Sequence, residues 1–180
     1  LTNERYAPLV KQQLPDLDDE QILLEPDRRN TAPCIAWSAY HIRAFNPDAL
    51  ILVTPSDHLI LKDEEFRNSV VRGFEFVRDN RSALLTMGIK PNRPETGYGY
   101  IQVGGKSLDS SAPVKTFTEK PNSELAKVFL ESGEFVWNAG IFMWSANAII
   151  DAFHECAPDI SMRFDKGLGK FGTDNATEFI

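Results

Sequence analysis

Cysteine and histidine are scarce in this chain: two cysteines and three histidines occur among 180 residues. Cys34 and Cys156 build no disulfide framework and show no metal-ligand spacing, so both read as reduced thiols of a cytosolic protein. Three scattered histidines make no zinc set. No apolar run approaches the roughly 20 residues of a membrane span, and no secretory leader pattern is present. Internal repeats and a Pro/Ser-rich linker are missing too. Basic residues are in the minority. The 19 Lys and Arg against 26 Asp and Glu leave a formal net charge of −7, which argues against a dominant nucleic-acid surface while leaving room for a local basic site for phosphates. An initiator Met is also lacking at Leu1, and Ile180 follows no obvious stop, so we expect an internal piece of a longer protein.

What remains is ordinary globular material, 42% hydrophobic and 25% charged, enough for one domain or most of one. Helical spacing over 6–14 is followed by a short strand at 21–25 that Pro26 closes. A helix is expected over 32–45, with Ala32, Ile35, Ala36, Ala39 and Ile42 on one face. Asn30 or Thr31 would cap it, and Pro33 suits its first turn. The run Leu50–Thr54 reads as a strand, buried on both faces from Ile51 to Val53. Asp63 is expected to cap the next helix, whose buried stripe is Phe66, Val70, Phe74 and Val77. Another strand is expected over 82–89. This alternation predicts an α/β fold, a mixed but mostly parallel sheet with helices on both faces. Further strands are expected over 99–103, 114–118 and 136–144, and helices over 123–132 and 146–156. From Gly167 on, low apolar content points to poor order.

Five segments could carry chemistry. Thr54-Pro55-Ser56-Asp57-His58 ends a buried strand, because Pro55 cannot donate to a ladder. Open α/β sheets place ligands just past such carboxyl ends, so Asp57 is a candidate metal ligand or acid/base group, or else a turn cap. Glu25-Pro26-Asp27-Arg28-Arg29-Asn30-Thr31-Ala32-Pro33 joins a strand end to a helix start. Free N–H groups there suit an anion or the acceptor edge of a base, though capped loops of this kind are common. In Glu95-Thr96-Gly97-Tyr98-Gly99-Tyr100-Ile101, two glycines let backbone approach a ligand, or merely serve a tight turn. Phe117-Thr118-Glu119-Lys120-Pro121 puts adjacent charges at a strand end; a bend before Pro121 would bring both into one crevice. Asn138 is a polar residue in the apolar strand from Val136 to Trp144, its amide bonded either to a ligand hydroxyl or to neighbouring backbone.

Taken in order, these segments resemble the bacterial mannose-1-phosphate guanylyltransferases, within the sugar nucleotidyltransferases. The resemblance rests on Glu25–Pro33, Pro55–His58, Glu95–Ile101, Phe117–Pro121 and Trp137–Phe142 and covers about Asn3 to Asp159. It implies a Rossmann-like domain joining mannose 1-phosphate to GTP, with GDP-mannose and pyrophosphate as products. Asp57 would hold the Mg²⁺ that bridges the phosphates, and Lys120 would hold the sugar phosphate, making these two the catalytic pair. The loop with Glu25, Pro26, Asn30, Thr31 and Ala32 would border the guanine. Gly97, Tyr98, Gly99, Glu119 and Asn138 would surround the mannose.

One departure stands out. The family's Gly-rich loop, which cradles the triphosphate, has no counterpart from Leu1 on, and Asp165 and Asp174 lie too near the end to assign as a second metal ligand. Residues 1–180 are therefore expected to form a partial nucleotidyltransferase domain, inactive alone. Another sugar nucleotidyltransferase, or a nucleotide-sugar sensor on the same fold, is the alternative. Expected partners are GTP and mannose 1-phosphate, with no nucleic acid or membrane, in the cytoplasm; assembly into a homo-oligomer stays open.

Overall fold

The computed structural model describes residues 1–27, 29–105, 111–173 and 176. Arg28 and Asp174 therefore lie outside the described residues. In chain order the elements are β1 (Thr2–Asn3), α1 (Ala7–Gln13), β2 (Leu24–Glu25), α2 (Thr31–Phe45), β3 (Leu50–Val53), α3 (Asp63–Asp79), β4 (Leu85–Ile89), β5 (Tyr100–Val103), β6 (Val114–Thr118), α4 (Ser123–Ser132), β7 (Phe135–Ser145), α5 (Ala146–Cys156) and α6 (Pro158–Asp165). Among the described residues, no helix is long and apolar enough to cross a membrane. The chain divides into two compact units. One comprises Leu1–Ile51, Lys62–Leu84 and the described residues from Met143 on; the other comprises Leu52–Leu61 and Leu85–Phe142.

In the first unit β1 pairs with β2 in parallel, and α2, α5 and α6 pack on one another. Helix α2 buries Ala36, Trp37, Ala39 and Tyr40; Ala32 lies on the same side but stays exposed in the first turn. Aromatic side chains carry the largest buried areas, and Tyr40 meets Phe164 and Phe171 at ring separations of 5.5 and 5.6 Å. The expected face is thus partly kept, with Ala36 and Ala39 buried and Ile35 and Ile42 half-buried, and the aromatic Trp37 and Tyr40 widen it. Ser145 caps α5 by accepting from the Ala148 N–H at 3.1 Å. Helix α6, which the sequence pattern does not announce, starts with Pro158 in its first turn, where the missing N–H is harmless. Phe171 is buried, although it lies in the stretch whose composition points to poor order. Of the expected stripe of helix α3, Val77 is buried and Phe66, Val70 and Phe74 are half-buried; Lys62 occupies the cap position and Asp63 is already helical.

The second unit is built around β5. A five-stranded sheet runs β3-β7-β5-β6, with β4 also pairing β7. Strand β5 is antiparallel to both β6 and β7, with Tyr100 opposite Thr118 on one side and Trp137 on the other. These pairs correct the expectation of a mostly parallel sheet. Too few residues separate Val103 from Val114 for the crossover of about a dozen or more that parallel neighbours need. Helix α4 is capped by Asn122, which accepts from Leu125 N–H at 2.9 Å, and ends on Gly133 in the left-handed region. It lays Ala126 and Phe129 on Tyr100 and Trp137, while Phe135 stacks on Phe129 at 3.9 Å. This apolar cluster underlies the strand ends that carry the site.

Candidate functional site

Strand β7 is the axis of the site in the second unit. The Asn138 N–H donates to the Gly99 carbonyl at 2.8 Å, and the Asn138 Oδ1 accepts from the Gly140 N–H at 3.0 Å. The amide thus finds its acceptor duty in neighbouring backbone, with Gly140 in the left-handed region at φ 67°. A Cβ on Gly140 would sit 3.2 Å from the Pro55 ring, and one on Gly99 would sit 2.8 Å from Glu119 Oε2 and 3.5 Å from Asn138 Cβ. One three-residue stretch of β7 therefore gathers the Pro55 turn, the Gly99 turn and Glu119. Four of the five segments singled out in the sequence meet here.

Asp57 lies exposed in the turn that Pro55 opens after β3. Among the described residues, no group of three or more His, Cys, Asp or Glu side chains is assembled to hold a metal. One exposed carboxylate can hold a divalent cation only when a substrate supplies further oxygens. That matches Mg²⁺, which usually takes one or two carboxylates plus phosphates and water.

Glu119 and Lys120 follow β6. Lys120 takes φ 43°, and this bend brings its Nζ within 3.5 Å of Glu119 Oε1, both side chains staying mostly exposed. An exposed pair of this kind contributes at most about 1 kcal/mol to stability. Both groups stay accessible to a ligand, and strain in a non-glycine residue is a feature of functional loops.

The Gly97–Tyr98–Gly99 turn is more tightly held than its glycines suggest. Glu95 Oε1 accepts from the Gly97 N–H at 3.0 Å, so that N–H is not available to a ligand in the way the sequence alone suggests. Glu95 Oε2 accepts from Arg93 Nε and Nη2 at 3.1 and 3.0 Å. The Gly97 N–H, then the Arg93 guanidinium, hold the Glu95 carboxyl below the usual range. Arg93 lies 5.2 Å over the Trp137 ring, which Tyr98 meets edge-on at 5.3 Å. Nothing in the sequence singles out Arg93, which is one arginine in a Pro-rich loop.

The Glu25–Ala32 loop belongs to the first unit. Asn30 occupies the cap position of α2 at φ 69° and ψ −178°, and its side chain makes no capping bond. The expected cap fails because capping needs β-region backbone; this conformation is one that glycine normally takes. Thr31 and Ala32 are exposed at the helix start. A cleft of about 610 Å³ opens beside Glu25, Pro26, Pro33 and Trp37. The Trp37 indole Nε1 is buried without a partner among the described residues. Next to this loop, burial and then the Glu25 charge push the Cys34 thiol up, so it is a poor nucleophile.

Known proteins resemble the whole chain. The mannose-1-phosphate guanylyltransferase of Klebsiella pneumoniae is 37% identical over 185 residues, covering 100% of this chain and 38% of that protein. The chain thus spans under two fifths of the length of the curated relatives it matches. A Thermus thermophilus crystal structure described as mannose-1-phosphate geranyltransferase superposes with a TM-score of 0.83 at 26% identity, over 99% of this chain and 51% of that one. A Helicobacter pylori structure described as mannose-6-phosphate isomerase gives 0.76 at 30% identity, over 89% and 60%. Residues 1–173 match the family described as Nucleotidyl transferase, and by that match the chain belongs to the nucleotidyl transferase family.

Proposed function

We propose that the protein carrying this chain transfers GMP from GTP to mannose 1-phosphate, giving GDP-mannose and pyrophosphate. The observation that carries the reading is the meeting of Gly99, Glu119 and the Pro55 turn around Asn138–Gly140. Those segments are among the ones on which the sequence resembles the mannose-1-phosphate guanylyltransferases, and relatives of that name match the chain over its whole length.

A phosphate oxygen of the sugar attacks the α-phosphorus of GTP. The new P–O bond forms as the bond to the bridging oxygen of the β-phosphate breaks, and pyrophosphate leaves with the electron pair. The sugar phosphate is already anionic at neutral pH, so the chain supplies no general base. Its task is to bring mutually repelling anions into line. Lys120 supplies a cation to the sugar phosphate. Glu119 accepts from mannose hydroxyls, and the Asn138 NH₂ donates to another. Glu25, Pro26, Asn30, Thr31 and Ala32 border the guanine; of these, Glu25 and Pro26 line a cleft of about 610 Å³, which is of ordinary ligand-site size. A Mg²⁺ held by Asp57 and by phosphate oxygens would screen the charge between the two substrates. Two free thiols, Cys34 and Cys156, support a cytoplasmic setting.

Pyrophosphate release tests the reading. The protein carrying this chain should release pyrophosphate with GTP and mannose 1-phosphate and much more slowly with glucose 1-phosphate, ATP or UTP. Faster turnover of any of those alternatives would overturn the assignment of sugar or base, and no turnover at all would favour a sensor.

A further inference from the structure

We propose that Arg93 and Glu95 are positioning residues for the sugar phosphate, forming a clamp that fixes the Gly97–Tyr98–Gly99 turn beside Asn138 and Glu119. The inference rests on the functional reading above and extends it to two side chains outside the binding set.

Glu95 divides its two carboxylate oxygens between two tasks. Oε1 accepts from the Gly97 N–H, closing the turn on itself. Oε2 accepts from two nitrogens of Arg93. The Glu95 backbone N–H donates to the Tyr100 hydroxyl at 3.0 Å, and Tyr100 is fully buried, so the clamp is anchored in the apolar cluster under β5. Arg93 in turn lies over the face of Trp137, where a guanidinium is attracted by the ring. Trp137 is 7% exposed and directly precedes Asn138. One ion pair thereby ties the turn, the core and the strand that carries Asn138 into a single arrangement.

The consequence is preorganisation. A turn with two glycines is flexible in isolation. Here Gly99 packs closely against Glu119 and Asn138, with a hypothetical Cβ 2.8 Å from Glu119 Oε2 and 3.5 Å from Asn138 Cβ. Loosening the turn by an ångström would move the wall of the sugar site. Misplacement on that scale costs up to about 100-fold in rate, and part of it should be visible as weaker sugar-phosphate recognition.

Steady-state kinetics of the protein carrying this chain test the clamp with Arg93→Ala, Glu95→Ala, the double variant and Arg93→Lys. The KM for mannose 1-phosphate should rise about tenfold in each alanine variant and little further in the double, since the pair acts as one unit. The KM for GTP should hold, and Arg93→Lys should recover part of the loss by restoring charge without the planar fork. An unchanged KM for mannose 1-phosphate in both single variants overturns the clamp. Equal losses for GTP and sugar phosphate, with a lowered melting temperature, overturn it as well, because they mark a purely structural pair. Absence of turnover in the unaltered protein would instead remove the functional reading, and the clamp with it.

Discussion

Lys120 Nζ lies 3.5 Å from Glu119 Oε1, an approach that neighbours in an extended strand cannot make because their side chains point to opposite faces. The left-handed backbone of Lys120, φ 43°, permits it at a cost of about 1–2 kcal/mol for a residue with a Cβ. The same bend leaves both groups close together and exposed.

Lys120→Gly separates the two consequences. Glycine removes the backbone strain but frees the unfolded chain, and these effects nearly cancel, leaving stability within about 1 kcal/mol of the parent. On the proposed function the sugar phosphate would lose its cation, so KM for mannose 1-phosphate should rise at least about tenfold. Thermal melting and steady-state kinetics on one preparation decide the matter. A much lower melting temperature with unchanged KM would make Lys120 a structural residue.

Gly99→Ala should disturb function more than fold. The new methyl would lie 2.8 Å from Glu119 Oε2, the far end of a flexible and exposed side chain. Glu119 can swing away at a stability cost below about 1 kcal/mol, but on the proposed function it would then leave the mannose hydroxyls. Gly88→Ala is the contrast, since its Cβ would lie 2.9 Å from Val136 Cβ, on a strand that cannot yield; about 1–3 kcal/mol is expected there. Chemical denaturation of both variants, with sugar-phosphate KM for Gly99→Ala, checks the division. Equal destabilisation of the two would show that Glu119 is less free to move than its exposure implies.

Asp57→Asn should leave the fold intact, because Asp57 is exposed in a turn, and should abolish Mg²⁺-dependent pyrophosphate release. The amide keeps the shape and removes the charge that a divalent cation needs. Titrating Mg²⁺ against pyrophosphate release is the measurement; near-normal activity at ordinary Mg²⁺ would reduce Asp57 to a turn residue.

Local signals in the sequence are legible where caps and composition agree. Helices 123–132 and 146–156 and strand 114–118 match residue for residue; Asn122, Gly133 and Ser145 punctuate the two helices. Pairing direction is not legible in the same way. Alternation tells which face of a strand is buried, but not whether its neighbour runs up or down, and so the antiparallel pairs of β5 contradict the parallel expectation. The same holds for the site. Asp57, Glu119, Lys120 and Asn138 stand on recognisable segments, whereas Arg93 matters through two contacts, to Glu95 and to Trp137 some forty positions later, which no local spacing reports. Asn30 shows the opposite error, for its residue type favours a cap that its backbone does not make.

Tyr40 and Asp165 should give the first unit a stability that falls at both ends of the pH scale. The buried Tyr40 hydroxyl donates to Asp165 Oδ1 at 2.6 Å. His154 Nε2 faces the same carboxylate at 3.0 Å, and Arg43 lies 5.0 Å over the Tyr40 ring. The Tyr40 hydroxyl, ahead of His154 and Arg43, holds the Asp165 carboxyl below its ordinary range. Its stabilisation is therefore full above the unfolded value near about 3.9 and is lost as pH falls through the lower folded value. Burial, then the bond to Asp165, pushes the Tyr40 phenol up. That contribution is full below the unfolded value near about 10 and is lost as pH rises through the raised folded one. Tyr40→Phe removes the alkaline limb and moves the acid limb toward ordinary Asp behaviour. At neutral pH it should cost about 1.5 kcal/mol, the low end for a bond to a charged group, since Asp165 is partly solvated. Urea denaturation of both proteins across the pH scale measures all three effects. If the variant kept the parent's acid midpoint, the Asp165 carboxylate would be held by His154 and solvent, and the phenol would be a passive core group.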